Sequence, residues 1–164
     1  MKVYFATDHA GFALKNVLVE AVRAAGYEVE DCGPFAYDAA DDYPQLIAAG
    51  VAKLSADAAE GKESKAVILG GSGQGEAMVA NRFPSVRCAV YYGAPQGEQV
   101  DMSGKSLSMI QSTRAHNNAN CLSLGARFLD EATAKKVTLE WLKESYTNEP
   151  RHERRIQAIE SIRT

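Results

Sequence analysis

Glu76 closes a glycine-rich loop, Gly70-Gly71-Ser72-Gly73-Gln74-Gly75, and opens the helix that follows it. A carboxylate above a nest of backbone N–H donors can take a proton from carbon next to a carbonyl while the nest holds the oxyanion that forms. Ser72 is a poor base unaided, because a hydroxyl holds its proton tightly, but it can donate a hydrogen bond. Asp8 and His9 bring a carboxylate and an imidazole to the end of another apolar run. His116 and Asn117, in the stretch RAHNNAN, are suited to sugar hydroxyls. Arg151 and Arg155 lie four apart in RHERR, on one helix face, where two guanidiniums can clamp one phosphate. Each group also has an ordinary structural use. An acid in a first helical turn offsets the dipole, asparagines favour turns, and RHERR balanced by Glu153 and Glu160 is a solvated charged face.

The loop must be told from its look-alikes. Gly70 and Gly75 have Walker A spacing, but Glu76 stands where that loop needs lysine; Gly71 and Gly73 fit a dinucleotide loop, but position 76 should then be glycine. ATP and NAD are both disfavoured.

Placing these groups is the work of alternating elements. Short apolar runs at 3–6, 27–29, 65–69, 86–91 and 120–124 read as strands, and 12–25, 45–59, 75–82 and 130–145 as helices. The pattern predicts an α/β fold, a doubly wound three-layer α/β/α sandwich with a five-stranded parallel sheet in the order 2-1-3-4-5. In such a sheet ligands bind beyond the carboxyl ends of the strands where the order reverses, here between strands one and three. Both TDHAG (7–11) and the glycine loop fall there. The polar stretch 93–113 is an extended loop with room for a short helix. The tail 148–164 is a helix with Ile156, Ile159 and Ile162 on one stripe, suited to docking on a second subunit.

The chain has 164 residues, one domain's worth, with 46% hydrophobic and 24% charged residues. A net charge of −3 argues against wholesale attraction to nucleic acid or an anionic membrane. Cys32, Cys88 and Cys121 form no CxxC pair and read as reduced thiols. With no apolar run long enough to span a bilayer and no signal-peptide layout at the start, a cytoplasmic protein is expected.

DHAG, DYP (42–44), GGSGQGE (70–76), ANRFPSVR (80–87), HNNAN, LGAR (124–127) and RHERRI (151–156) occur together and in order. This set resembles the type B ribose-5-phosphate isomerases, in the family that includes the galactose-6-phosphate isomerase subunits, over nearly the whole chain. The resemblance implies an aldose–ketose isomerase working through a cis-enediolate, with no metal and no cofactor. Much of that family uses a loop cysteine as base. Ser72 occupies that place here, as in the branch that uses a glutamate a few residues on, and Glu76 matches that glutamate. By the same carry-over, His116 assists ring opening and Asp8 handles hydroxyl protons. Asn117 and the backbone at Gly71, Gly73 and Gly75 hold the enediolate oxygens, and Tyr43 lines the sugar pocket. His9, Arg127, Arg151 and Arg155 grip the phosphate, some of them across the interface of a homodimer or a dimer of dimers.

Ribose 5-phosphate is the expected substrate, with a tetrose or hexose phosphate as the alternative. The stretch 93–113 is longer than the family usually has and leads into His116, so it bears on that choice. A non-catalytic sugar-phosphate-binding module and an FMN carrier are the remaining readings. The first has no need of a proton shuttle, and the second does not suit a loop ending in a carboxylate.

Overall fold

The computed structural model describes residues 1–162 except 96, 98 and 103; those positions and 163–164, which fall within the expected segments 93–113 and 148–164, lie outside the described residues. In chain order the strands are β1 (Lys2–Thr7), β2 (Glu28–Asp31), β3 (Ser64–Gly70), β4 (Cys88–Tyr91), β5 (Gln99–Val100), β6 (Ser106–Leu107) and β7 (Cys121–Gly125). The helices are α1 (Phe12–Ala24), α2 (Tyr43–Ala59), α3 (Gln74–Ala80), α4 (Met109–Ala115), α5 (Glu131–Lys143) and α6 (Pro150–Ser161).

Strand periodicity builds the layers. Val3, Phe5, Val67, Leu69, Leu122 and Leu124 point to one face and pack with Leu18 and Val22 of α1 and Trp141 of α5. Tyr4, Ala6, Ala66, Ile68 and Cys121 point to the other and pack with Ile47, Val51 and Leu54 of α2 and Ala80 of α3. Alternate residues of one strand thus feed opposite cores, as a pleat of period two requires. The expected α/β/α sandwich and five-stranded parallel sheet are both present.

The strand order differs from expectation. The sheet runs β2-β1-β3-β7-β4, so the strand expected at the edge lies between β3 and β4. Burial explains the placement. All five residues of β7 are buried, whereas Cys88, Ala89 and Val90 of β4 are only half-buried, as an edge strand allows. The reversal between β1 and β3, which defines the expected crevice, is retained.

Element ends follow local chemistry. α1 stops before Gly26, whose φ of +89° ends the helix, and Pro44 sits in the first turn of α2. Within 93–113 the chain forms the β5–β6 hairpin and then α4, which starts on a reciprocal Ser108–Gln111 capping box. α6 buries Ile156 against its own body but leaves Ile159 and Ile162 at 50% and 76% exposure.

Candidate active site

At the carboxyl ends of β1 and β3 a cleft of about 380 Å³ is lined by Asp8, His9, Tyr43, the glycine loop, Glu76 and Arg127. Strand β3 ends at Gly70, and the loop turns into α3 through Gly73, whose φ of +76° suits glycine. Glu76, in the first turn of α3, folds back over the loop. A Cβ at position 70 would sit 1.9 Å from its Oε1, so Gly70 must be glycine for the carboxylate to lie there. Glu76 is only 4% exposed. Burial, followed by the nearby charge of Asp8, raises its pKa above the ordinary carboxylate range, with the peptide groups of Glu76 and Gly73 partly opposing. A buried, proton-avid carboxylate is what a general base needs.

Strand β7 holds the loop from behind. The Ser123 hydroxyl donates to the Gly73 carbonyl at 2.6 Å, and the Ala126 and Arg127 N–H groups donate to the Gly70 and Gly71 carbonyls. Those last two bonds carry Arg127 to the mouth, its guanidinium carbon 3.3 Å from where a Gly71 Cβ would be. Tyr43, at the start of α2, closes the other side, its hydroxyl 2.8 Å from a Cβ built on Gly75. Ser72 accepts from the Gln74 N–H at 3.3 Å and stands on the rim.

Asp8 is buried and accepts from the Ala10 and Gly11 N–H groups, which fixes the turn that follows β1. His9 Nδ1 lies 2.7 Å from Asp41 Oδ1, and that oxygen also accepts the His9 N–H. This hydrogen bond raises the pKa of His9, with the charges of Asp8 and Asp41 adding, while partial desolvation and Arg127 act against it. The pairing favours an imidazolium facing Arg127 across the cleft, a suitable grip for a phosphate. Donor atoms of Asp8, His9 and Asp41 lie within 4.8 Å of one another, so among the described residues this trio could hold a cation. The His9–Asp41 hydrogen bond already occupies Nδ1.

His116, Asn117, Arg151 and Arg155 are not in this cleft. His116 precedes β7, at the end of the sheet opposite Gly70, and β7 alone separates the two ends by roughly 15 Å at about 3.3 Å per residue. There the His116 ring stacks on His152 of α6, centroids 4.4 Å apart and planes 11° apart. Arg151 Nε lies 2.8 Å from Glu149, Arg155 is exposed, and Arg87 anchors the helix through Glu160 at 3.1 Å.

Four residues of these two places escape sequence reasoning. Asp41 reads as one more acid in a polar turn, and only its position beside His9 reveals a partner. His152 sits inside RHERR, whose charge draws the eye to the arginines, yet it is buried, and burial pushes its pKa down. Phe128, exposed at the cleft and 6.0 Å from Tyr92, and Ser123, inside a strand, carry no local signal of their roles.

A family model described as Ribose/Galactose Isomerase matches residues 3–159. The chain is 35% identical to the ribose-5-phosphate isomerase B of Mycolicibacterium paratuberculosis over 97% of its length and 89% of that protein. It is 30% identical to the Escherichia coli ribose-5-phosphate isomerase B, over 98% and 95% of the two chains. Among solved structures, the ribose-5-phosphate isomerase B of Mycoplasma genitalium with bound ribulose-5-phosphate superposes with a TM-score of 0.82 at 28% identity, covering 98% of this chain and 95% of that one. With its glycine loop, buried carboxylate and parallel sheet, this chain belongs to the ribose/galactose isomerase family.

Proposed function

We propose that the protein is a ribose-5-phosphate isomerase, interconverting ribose 5-phosphate and ribulose 5-phosphate. The observation that carries the reading is the buried Glu76 carboxylate, held with a raised pKa against the glycine loop. The substrates named for the relatives agree with it. In the proposed reaction Glu76 takes the C2 proton of the ring-opened aldose. The electron pair moves to make the C1–C2 enediolate, and Glu76 returns the proton to C1. Asp8 moves the hydroxyl proton between O1 and O2. Ser72 and the N–H groups of the loop at Gly71, Gly73 and Gly75 hold the oxygens as charge grows on them. Tyr43 walls the sugar, and His9 with Arg127 takes the phosphate.

We further propose that the working unit is a homodimer. His116, for ring opening, Asn117, for an enediolate oxygen, and Arg151 and Arg155, for the phosphate, lie at the wrong end of their own sheet. They reach a cleft when a second copy presents them to it. The exposed Ile159 and Ile162 beside Val86 and Ala89 offer the apolar contact for such a pairing. The β5–β6 hairpin and the exposed Phe128 and Tyr92 favour, as second reading, a preference for a sugar phosphate of another length.

A steady-state assay on tetrose, pentose and hexose phosphates, run on the wild type and Glu76→Gln, tests both readings. Ribose 5-phosphate turnover that disappears in the variant supports the first. Preference for another sugar with the same loss in the variant selects the second. Turnover retained in Glu76→Gln removes the base assignment.

A further inference from the structure

We propose that a cavity at the amino end of the sheet, floored by Lys65 and Arg114, is a second anion site that takes the phosphate group of a small molecule. The cavity measures about 880 Å³, a usual size for a small-molecule site, and shares no lining residue with the cleft at Glu76. Tyr27, Leu54 and Tyr146 give it an apolar wall.

The two cations set it apart. Lys65 and Arg114 are 4% and 7% exposed, yet neither has a carboxylate within ion-pair reach among the described residues. The same protein buries Lys15 completely and gives it Asp31 at 2.7 Å. Among the described residues Lys65 donates only to the Leu142 carbonyl, at 2.9 Å. Arg114 donates to the carbonyls of Glu144 and Ala119 and to the Asn118 side chain. Capping the C-terminus of α5 accounts for the Leu142 and Glu144 bonds. It leaves two Lys65 donors and the second terminal nitrogen of Arg114 without a protein acceptor among the described residues.

Five cationic side chains line the cavity; Lys62 and Arg87 are paired with Glu60 and Glu160, which leaves Lys65, Arg114 and Lys143 to face the carboxylates of Glu63 and Glu144. Burial, then the charge of Arg114, pulls the Lys65 pKa down to about 8. An anion between the two would satisfy the free donors and reverse that strain.

The molecule supplies its own reporter. Its one tryptophan, Trp141, lies under both cations, 5.4 Å from Lys65 Nζ and 6.0 Å from the Arg114 guanidinium carbon. The experiment is a titration of the whole protein with inorganic phosphate at constant ionic strength, followed by Trp141 fluorescence. Wild type and Arg127→Ala, which is altered only at the far cleft, should both saturate. Lys65→Met should need at least about tenfold more phosphate, the loss of one charge-assisted hydrogen bond, and Lys65→Arg should stay within a few-fold. Should Lys65→Met fail to fold, the pH dependence of wild-type Trp141 emission serves, its midpoint moving upward with phosphate present. A flat wild-type titration, an unchanged midpoint in folded Lys65→Met, no upward movement, or loss of the signal in Arg127→Ala each overturns the proposal. The same titration with ribose 5-phosphate reads the source. A lower midpoint than phosphate assigns the site to a phosphate ester, an equal one to free phosphate. The inference does not rest on the isomerase reading.

Discussion

The two ends of the sheet are built on different principles. At the carboxyl end, three loops converge because three adjacent parallel strands, β1, β3 and β7, stop together. Hydrogen bonds to the Gly70, Gly71 and Gly73 carbonyls lock them, the carboxylates of Asp8 and Glu76 are buried, and burial raises the pKa of Glu76. At the amino end, side chains tether His116 and α6, through the His116–His152 stack and the Arg87–Glu160 pair; His116 and Arg151 are half-buried and Arg155 is exposed. One end is a prepared receptacle and the other a presented surface. In the dimer proposed above, the amino end of each copy would meet the carboxyl end of the other, completing two sites at once.

The sharpest way to break this comparison is at the receptacle. Glu76→Gln should lower kcat by about 10²–10⁴-fold with KM within a few-fold, measured in steady state. As the proposed base, Glu76 acts ionised; with its pKa raised, wild-type kcat should fall with acid already above the ordinary carboxylate range.

At the presented surface, Arg151→Ala should raise KM about 10–100-fold with little change in kcat, since a phosphate contact persists from ground state to transition state. Mixing it with Glu76→Gln tests the division directly. If the ends meet across subunits, each hybrid dimer holds one site with both lesions and one with neither, and activity returns. No recovery on mixing would place both groups in one subunit's site.

Asp41→Asn should have a smaller effect, confined to high pH. The Asp41 hydrogen bond keeps His9 protonated above its ordinary pKa, so losing the charge moves the alkaline rise in KM to lower pH and leaves acidic values unchanged. Last, Ser123→Ala should cost about 0.5–1.5 kcal/mol of stability, read by thermal melt, because the buried Gly73 carbonyl loses its hydroxyl partner but keeps the Ala77 N–H.

What was legible in the sequence follows the same division. Asp8, His9 and the glycine loop with Glu76 declare themselves because they directly follow apolar runs, so chain position and spatial position coincide, whereas Tyr43 and Arg127 were carried over from the family motifs. His116 and the arginines were legible as chemistry but not as a location, which depends on strand direction and on how α6 docks. The place of β7 was not legible. Cys-Ala-Val-Tyr and Cys-Leu-Ser-Leu-Gly are both short apolar runs, and period two reports which face a residue takes, not which strand lies alongside. Asp41 stayed hidden because a turn acid earns its role from a histidine 32 residues away.

The insertion of β7 between β3 and β4 also sets an order of events. As the chain emerges, β3 and β4 exist before the strand that belongs between them, and each carries an unpaired edge until residue 125 is made. Direct β3–β4 pairing is the nearest misstep, and it would bar the slot. The Ser123 and Ala126 bonds that shape the glycine loop arrive only with β7, the strand on which β4 also depends for its pairing.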